Sequence, residues 1–201
     1  YRLNNNSINL IDIKFNQKKE FKKISNKSNK FIEDCLNVAF KLIKNKYSEK
    51  FINGPISKKT FLDKRLLGMT EYISNEFKIK KSAMLIYNKH LSVCPLTTHL
   101  PIKLIPKNIK KKNIVEKVQL INEFYKKNFN KKPKIGVTGL NPHCESIERY
   151  NEDEKIIRPT INYLAKSGYK ILGPISTDTI FLKDNRNKFD VILGMYHDQV
   201  L

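Results

Sequence analysis

The apolar positions fall into two rhythms. Phe31, Ile32, Cys35, Leu36, Ala39, Phe40 and Ile43 recur at helical spacing, with Ser28 placed to cap the helix they predict. Ile114, Val118, Ile121, Phe124 and Tyr125 mark a second amphipathic helix over 114–129, and Ile156, Ile157, Ile161, Leu164 and Ala165 a third over 152–167. Pro159 falls inside this third segment, either kinking it or marking its true first turn, and Gly168 is placed to end it. Short apolar runs predict strands at 8–15, 49–53, 83–87, 91–94, 134–138, 169–172 and 190–195, with Asn88-Lys89-His90 as a hairpin turn and His90 as a solvated residue of it. Thr70 is read as the cap of a short helix, and the basic stretch 107–113 as a loop. Strands and helices alternate over the second half, so the class is α/β. There is no internal repeat beyond two Gly-Pro loops.

Composition narrows the partners. The formal net charge is +20, but only five of the 39 basic residues are arginines (Arg2, Arg65, Arg149, Arg158, Arg186). Direct reading of guanine favours the arginine fork. The lysines are spread along the chain among many Asn and Ile, the pattern of a solvated surface, and no nucleic-acid partner is expected. Such a field still draws phosphorylated or carboxylated substrates. The three cysteines, Cys35, Cys94 and Cys144, lack CxxC spacing and predict neither a disulfide framework nor a zinc ribbon. No apolar run approaches the roughly 20 residues of a membrane span, and no secretory h-region is present. A soluble cytoplasmic protein without a membrane partner is the expectation. The chain opens without Met and stops just after a strand, so it is read as part of a longer enzyme.

The candidate chemistry lies where strands end. The run at 134–138 breaks at Gly139 into Leu140-Asn141-Pro142-His143, so His143 rides a loop that Pro142 stiffens. His99 in TTHLP and His197 in MYHDQ hold comparable places, and in open α/β sheets ligands bind beyond the carboxyl ends of strands. Three imidazoles on three loops predict one metal site, suited to zinc and open to cobalt, manganese or iron. Asp198, beside His197, is a second ligand or an orienting group. Asp178 is either a site carboxylate or the N-cap of a helix over 179–183. Cys144 is read as packing. Gly54-Pro55-Ile56-Ser57-Lys58 is either an anion-binding loop or a plain turn with an exposed lysine.

GPISK at 54–58, GMTEY at 68–72, TTHLP at 97–101, GLNPH at 139–143, GP-x₃-DT at 173–179 and MYHDQ at 195–199 occur in this order. Together they resemble the family of 4-hydroxythreonine-4-phosphate dehydrogenase, an enzyme of pyridoxal phosphate synthesis. The resemblance implies an isocitrate/isopropylmalate-dehydrogenase-like fold of two α/β domains around a cleft, of which residues 1–201 would be the central part. It also implies a homodimer with a site shared between subunits. There His99, His143 and His197 would hold one divalent metal (Zn, Mg, Mn or Co). Met69 and Thr70 would lie where the family binds its small phosphorylated substrate, and Asp178 and Asp198 would border the site as catalytic carboxylates. The reaction implied is oxidation of a secondary alcohol by NAD or NADP, followed by decarboxylation of the resulting β-keto acid. The family's cofactor-contacting segment is expected past Leu201, and residues 1–201 by themselves are not expected to turn over.

Two positions depart from the family pattern. Met69 stands where the family carries a histidine, and residues 144–148 replace a glycine-rich continuation. Three other readings therefore stand beside the first: a paralogue acting on erythronate or threonate phosphate, a non-catalytic nucleic-acid-binding descendant, and a metal-dependent hydrolase.

Overall fold

A computed structural model of the chain describes residues 4, 6–17, 23–62, 68–145 and 151–201. The chain divides into two compact units, Tyr1–Met69 and Thr70–Leu201.

The first unit is built on α1 (Asn29–Lys44), whose Leu36 and Phe40 are buried. Phe15 stacks on Phe31 with ring centroids 4.6 Å apart, and Phe51 meets Phe40 edge-on at 5.9 Å. A single turn, α2 (Lys58–Phe61), follows Ser57, and Asn29 Nδ2 donates to Thr60 O at 2.9 Å. The strands expected at 8–15 and 49–53 do not form among the described residues. Ile8 and Leu10 stand 96% and 86% exposed, and the Asn9 side-chain amide bonds the Asn4 backbone instead, accepting from its N–H and donating to its O. Alternating apolar residues make a strand only where a neighbouring strand accepts the ladder.

The second unit holds a four-stranded parallel sheet in the order β1 (Ser92–Thr97), β4 (Val191–Tyr196), β2 (Ile135–Thr138), β3 (Ile171–Ile175). Thr97 faces Tyr196 across β1 and β4, and Val137 faces Leu193 across β2 and β4. The inner strand β4 alternates between two cores. Val191, Leu193 and Met195 face one side, packed with Ile114, Val118 and Ile121 of α5 (Lys111–Phe129) and Ile157, Ile161 and Leu164 at α6 (Arg158–Lys166). Ile192 faces the other, with Ile180, Phe181 and Phe189 around α7 (Thr177–Ile180) and α8 (Lys183–Arg186). Two shorter helices, α3 (Met69–Glu76) and α4 (Ile105–Asn108), precede α5 in the chain. A parallel strand covered on both faces reads as a continuous apolar run, which is why β2 and β4 were visible in the sequence.

Several boundaries move. β1 runs on through Leu96 and Thr97, and β3 runs through the Gly173-Pro174 pair that reads as a loop; Pro95 and Pro174 both sit on edge strands, where a missing N–H is tolerated. Residues 83–87 supply one antiparallel bridge, Ile86 to Val93, closed by the expected turn at Asn88 to His90. Ile105–Asn108 is helical and Ile109 is buried, so the basic stretch is not simply a loop. Pro159 stands in the first turn of α6, after a π-type turn over Asp153–Ile157. Thr70 lies inside α3 rather than capping it, and Ser176, not Asp178, holds the N-cap position of α7. No helix among the described residues is long and apolar enough to cross a membrane.

Candidate functional site at the carboxyl edge of the sheet

Parallel strands place all their carboxyl ends on one edge, and each candidate side chain leaves from that edge. His99 follows β1, His197 follows β4, His143 follows β2 and Asp178 follows β3. These strands are neighbours in space, although the residues span 99 positions of the chain (99 to 197 inclusive).

His99 and His197 form the closest pair, with ring centroids 6.4 Å apart. They line one small recess of about 210 Å³ with Thr98, Tyr196 and Asp198. His197 Nδ1 lies 2.7 Å from Asp198 Oδ1, so the neighbouring carboxylate fixes the ring. Thr97 Oγ1 donates to Met195 O at 2.8 Å and locks together the two strand ends that carry this pair. His99 Nδ1 is buried with no hydrogen bond among the described residues; its near neighbour is Glu71 Oε1, at 3.6 Å.

His143 is held differently. Its φ is +57° and that of Cys144 is +62°, the left-handed region that side chains with a Cβ rarely enter. Consecutive strained residues are kept only where their surroundings over-determine them, and here a carboxylate does so. Asp153, fully buried, accepts from the N–H groups of Leu140 (2.7 Å) and Asn141 (3.1 Å) and from Asn141 Nδ2 (2.9 Å). A Cβ on Gly139 would stand 2.7 Å from both Asp153 Oδ1 and Cys144 Sγ, so only glycine leaves room for this turn. Cys144 is buried packing, as expected, and burial pushes its thiol pKa up. His143 Nδ1 faces Asp178 Oδ2 at 3.7 Å, both side chains being exposed. The Ser176 hydroxyl, which donates to Asp178, and the nearby His143 hold the Asp178 carboxyl below its ordinary pKa.

Gln199 ties the edge together. Its Oε1 accepts from Thr138 Oγ1 (2.7 Å) and the Met195 N–H (2.6 Å), while its Nε2 donates to Gly139 O (2.7 Å) and Thr177 Oγ1 (2.9 Å). One amide thus spans β2, β4 and the start of α7 with every polar atom engaged. Gln199→Ala is expected to lower stability by about 2–4 kcal/mol, from four lost bonds and the groups left unpaired. Urea unfolding checks this as a lower midpoint at unchanged slope.

Met69 and Thr70 are the first two residues of α3, both half-buried. Of the segment that departs from the family pattern, Cys144 and Glu145 are described and residues 146–148 lie outside the described residues. The three histidines do not gather into one metal cluster within a single chain: among the described residues no three His, Cys, Asp or Glu side chains are placed to hold an ion. The donor chemistry fits a divalent ion, and the His99–His197 pair is in place. His143 stands instead with Asp178.

A parallel α/β sheet with histidines gathered at its carboxyl edge has the form of a small-molecule enzyme domain. The match to known proteins is specific: residues 2–201 match the family described as "Pyridoxal phosphate biosynthetic protein PdxA", and the chain belongs to that family. It is 38% identical over 199 residues to the 4-hydroxythreonine-4-phosphate dehydrogenase of Sulfurihydrogenibium sp. (strain YO3AOP1), covering 96% of this chain and 60% of that protein. It is 34% identical over 135 residues to an Oceanobacillus iheyensis protein named for D-threonate 4-phosphate dehydrogenase activity, covering 66% of this chain and 40% of that one. The crystal structure of the Klebsiella pneumoniae 4-hydroxythreonine-4-phosphate dehydrogenase shares the fold with a TM-score of 0.76 at 23% identity, over 88% of this chain and 55% of that one. The α/β, isocitrate-dehydrogenase-like class expected from the motifs is therefore the class the chain adopts. The chain spans between two fifths and three fifths of the length of these curated relatives.

Proposed function

We propose that the full-length protein is a soluble cytoplasmic NAD(P)-dependent oxidoreductase. It oxidises 4-phosphohydroxy-L-threonine and releases CO₂ to give 3-amino-2-oxopropyl phosphate, in pyridoxal phosphate synthesis. The observation that carries this reading is the ring-to-ring placement of His99 and His197 on adjacent strand ends, in a chain of this family. In the balanced reaction the substrate's secondary alcohol loses a hydride to the nicotinamide and a proton to solvent. The resulting β-keto acid then loses its carboxylate as CO₂, and the carbon left behind takes up a proton.

His99, His143 and His197 would hold one divalent metal, in a site to which two copies of the chain contribute. That arrangement accounts for a single chain bringing only one histidine pair together. When bound, the ion supplies Lewis acidity toward the alcohol and carboxylate oxygens of the substrate. Asp198 holds the His197 ring, and Asp178, whose carboxylate accepts from the Ser176 hydroxyl, borders the site beside His143. Met69 and Thr70 would contact the phosphorylated substrate, and the lysine-rich surface favours its approach.

Similarity to the Oceanobacillus protein supports a second reading, in which the substrate is a four-carbon acid phosphate such as threonate 4-phosphate. Methionine offers no N–H to a substrate oxygen, so Met69 is where the two readings part. On the first reading, kcat/KM for 4-phosphohydroxy-L-threonine exceeds that for both four-carbon acid phosphates, and Met69→His raises it further. Preference for threonate or erythronate phosphate by the unaltered protein would select the second.

A further inference from the structure

We infer that Glu71 is a positioning residue for His99, holding the Nδ1 edge of the imidazole so that Nε2 carries the free electron pair. The inference deepens the proposed metal reading, but its first readout does not depend on that reading. Each histidine at the sheet edge turns Nδ1 towards a carboxylate. His197 Nδ1 meets Asp198 Oδ1 at 2.7 Å, His143 Nδ1 faces Asp178 Oδ2 at 3.7 Å, and His99 Nδ1 faces Glu71 Oε1 at 3.6 Å. The fourth histidine, His90, lies in an exposed turn away from this set.

The His99–Glu71 pair differs from the other two in burial. Its side chains are 23% and 31% exposed, against 74% and 59% for His143 and Asp178. His99 Nδ1 and Glu71 Oε2 are both shut off from solvent and neither has a hydrogen-bond partner among the described residues. Buried polar atoms are almost always partnered, and leaving one unpartnered costs about 1–3 kcal/mol. A bond from Nδ1–H to the Glu71 carboxylate, whose Oε1 already stands 3.6 Å away, would give the buried ring nitrogen a charged acceptor. The proton then sits on Nδ1, because a carboxylate accepts and cannot donate. With Nδ1 committed, Nε2 is the ring's remaining donor of an electron pair, next to the ring of His197. Outer carboxylates of this kind fix tautomer and ring orientation and raise ligand basicity. Glu71 is borne on α3, in the turn that begins with Met69 and Thr70, so one short helix would both meet the substrate and set a histidine.

Long-range ¹H–¹⁵N NMR of the metal-free, full-length protein reads the tautomer directly, with His99 assigned by loss of its signals in His99→Gln. The expected wild-type result is one tautomer at His99, protonated on Nδ1. In Glu71→Ala this becomes a mixture, and Co²⁺ affinity falls about 10–100-fold. Glu71→Gln, whose amide oxygen still accepts, recovers part of that affinity. Protonation of Nε2 in the wild type overturns the inference whether or not any variant folds. An unchanged His99 tautomer in a folded Glu71→Ala variant overturns it as well. The expected tautomer in a wild-type protein that binds no Co²⁺ supports the role of Glu71 and counts against the metal reading.

Discussion

His197→Ala in the full-length protein is expected to cut NAD(P)H formation about 1,000-fold, with the protein still folded. A Lewis acid at a reacting oxygen is worth several kcal/mol, and each ~1.4 kcal/mol is a factor of ten in rate. His197 is the residue to change because two neighbours hold it in place. Asp198 grips its Nδ1, and β4 delivers it beside His99 at 6.4 Å. Asp198→Ala leaves the ring present but unheld, so a smaller loss, about 10–100-fold, is expected there. Steady-state kinetics on the two variants separate the roles. If His197→Ala keeps activity within about tenfold of the parent, this edge of the sheet is not the reacting centre.

The largest structural effect is expected at Asp153, which no sequence motif marks. Asp153→Ala removes a fully buried carboxylate and strands the N–H groups of Leu140 and Asn141. The expected loss is about 3–5 kcal/mol, since bonds to a charged acceptor are worth about 1.5–3 kcal/mol each and buried donors left alone carry a further cost. For a domain of this size that corresponds to a fall of about 10 °C in Tm. The loop it supports carries His143 in its left-handed conformation, so activity should fall further than stability alone requires. Thermal unfolding followed by circular dichroism checks the first part. A Tm within about 3 °C of the parent would mean that the loop keeps its shape without the carboxylate.

The elements legible in the sequence are those whose surroundings are uniform. α1 and α5 carry one apolar stripe each, and β2 and β4 are covered on both faces, so periodicity or a plain apolar run finds them. Edge strands were harder. β1 and β3 end in residues such as Thr97 and Pro174 that read as loop, because one side of an edge strand has no ladder to complete. The segments at 8–15 and 49–53 have strand-like composition but no strand beside them among the described residues, and pairing is not written in a local pattern.

The site divides in the same way. The strand-end positions of the three histidines were legible because each follows an apolar run, and Asp198 because it adjoins His197. Glu71 lies 28 positions from His99 (99 minus 71), and the amide of Gln199 bonds groups as far as 61 positions away. Such residues act through tertiary distance, and only the fold reveals them. From their shared edge the three histidines were expected to contribute to one metal site, and from the family resemblance to a site shared between subunits. In the arrangement found, the neighbouring strands β1 and β4 carry the His99–His197 pair, while the left-handed turn after β2, a strand that borders both β4 and β3, sets His143 beside Asp178.

The most direct measurement of the account is NAD(P)H formation by the full-length protein on 4-phosphohydroxy-L-threonine, before chelation, after it, and after a divalent metal is returned. The account predicts absorbance at 340 nm that vanishes with the chelator and comes back with the metal. Phosphate release without any reduced nicotinamide, or turnover indifferent to the chelator, would contradict it.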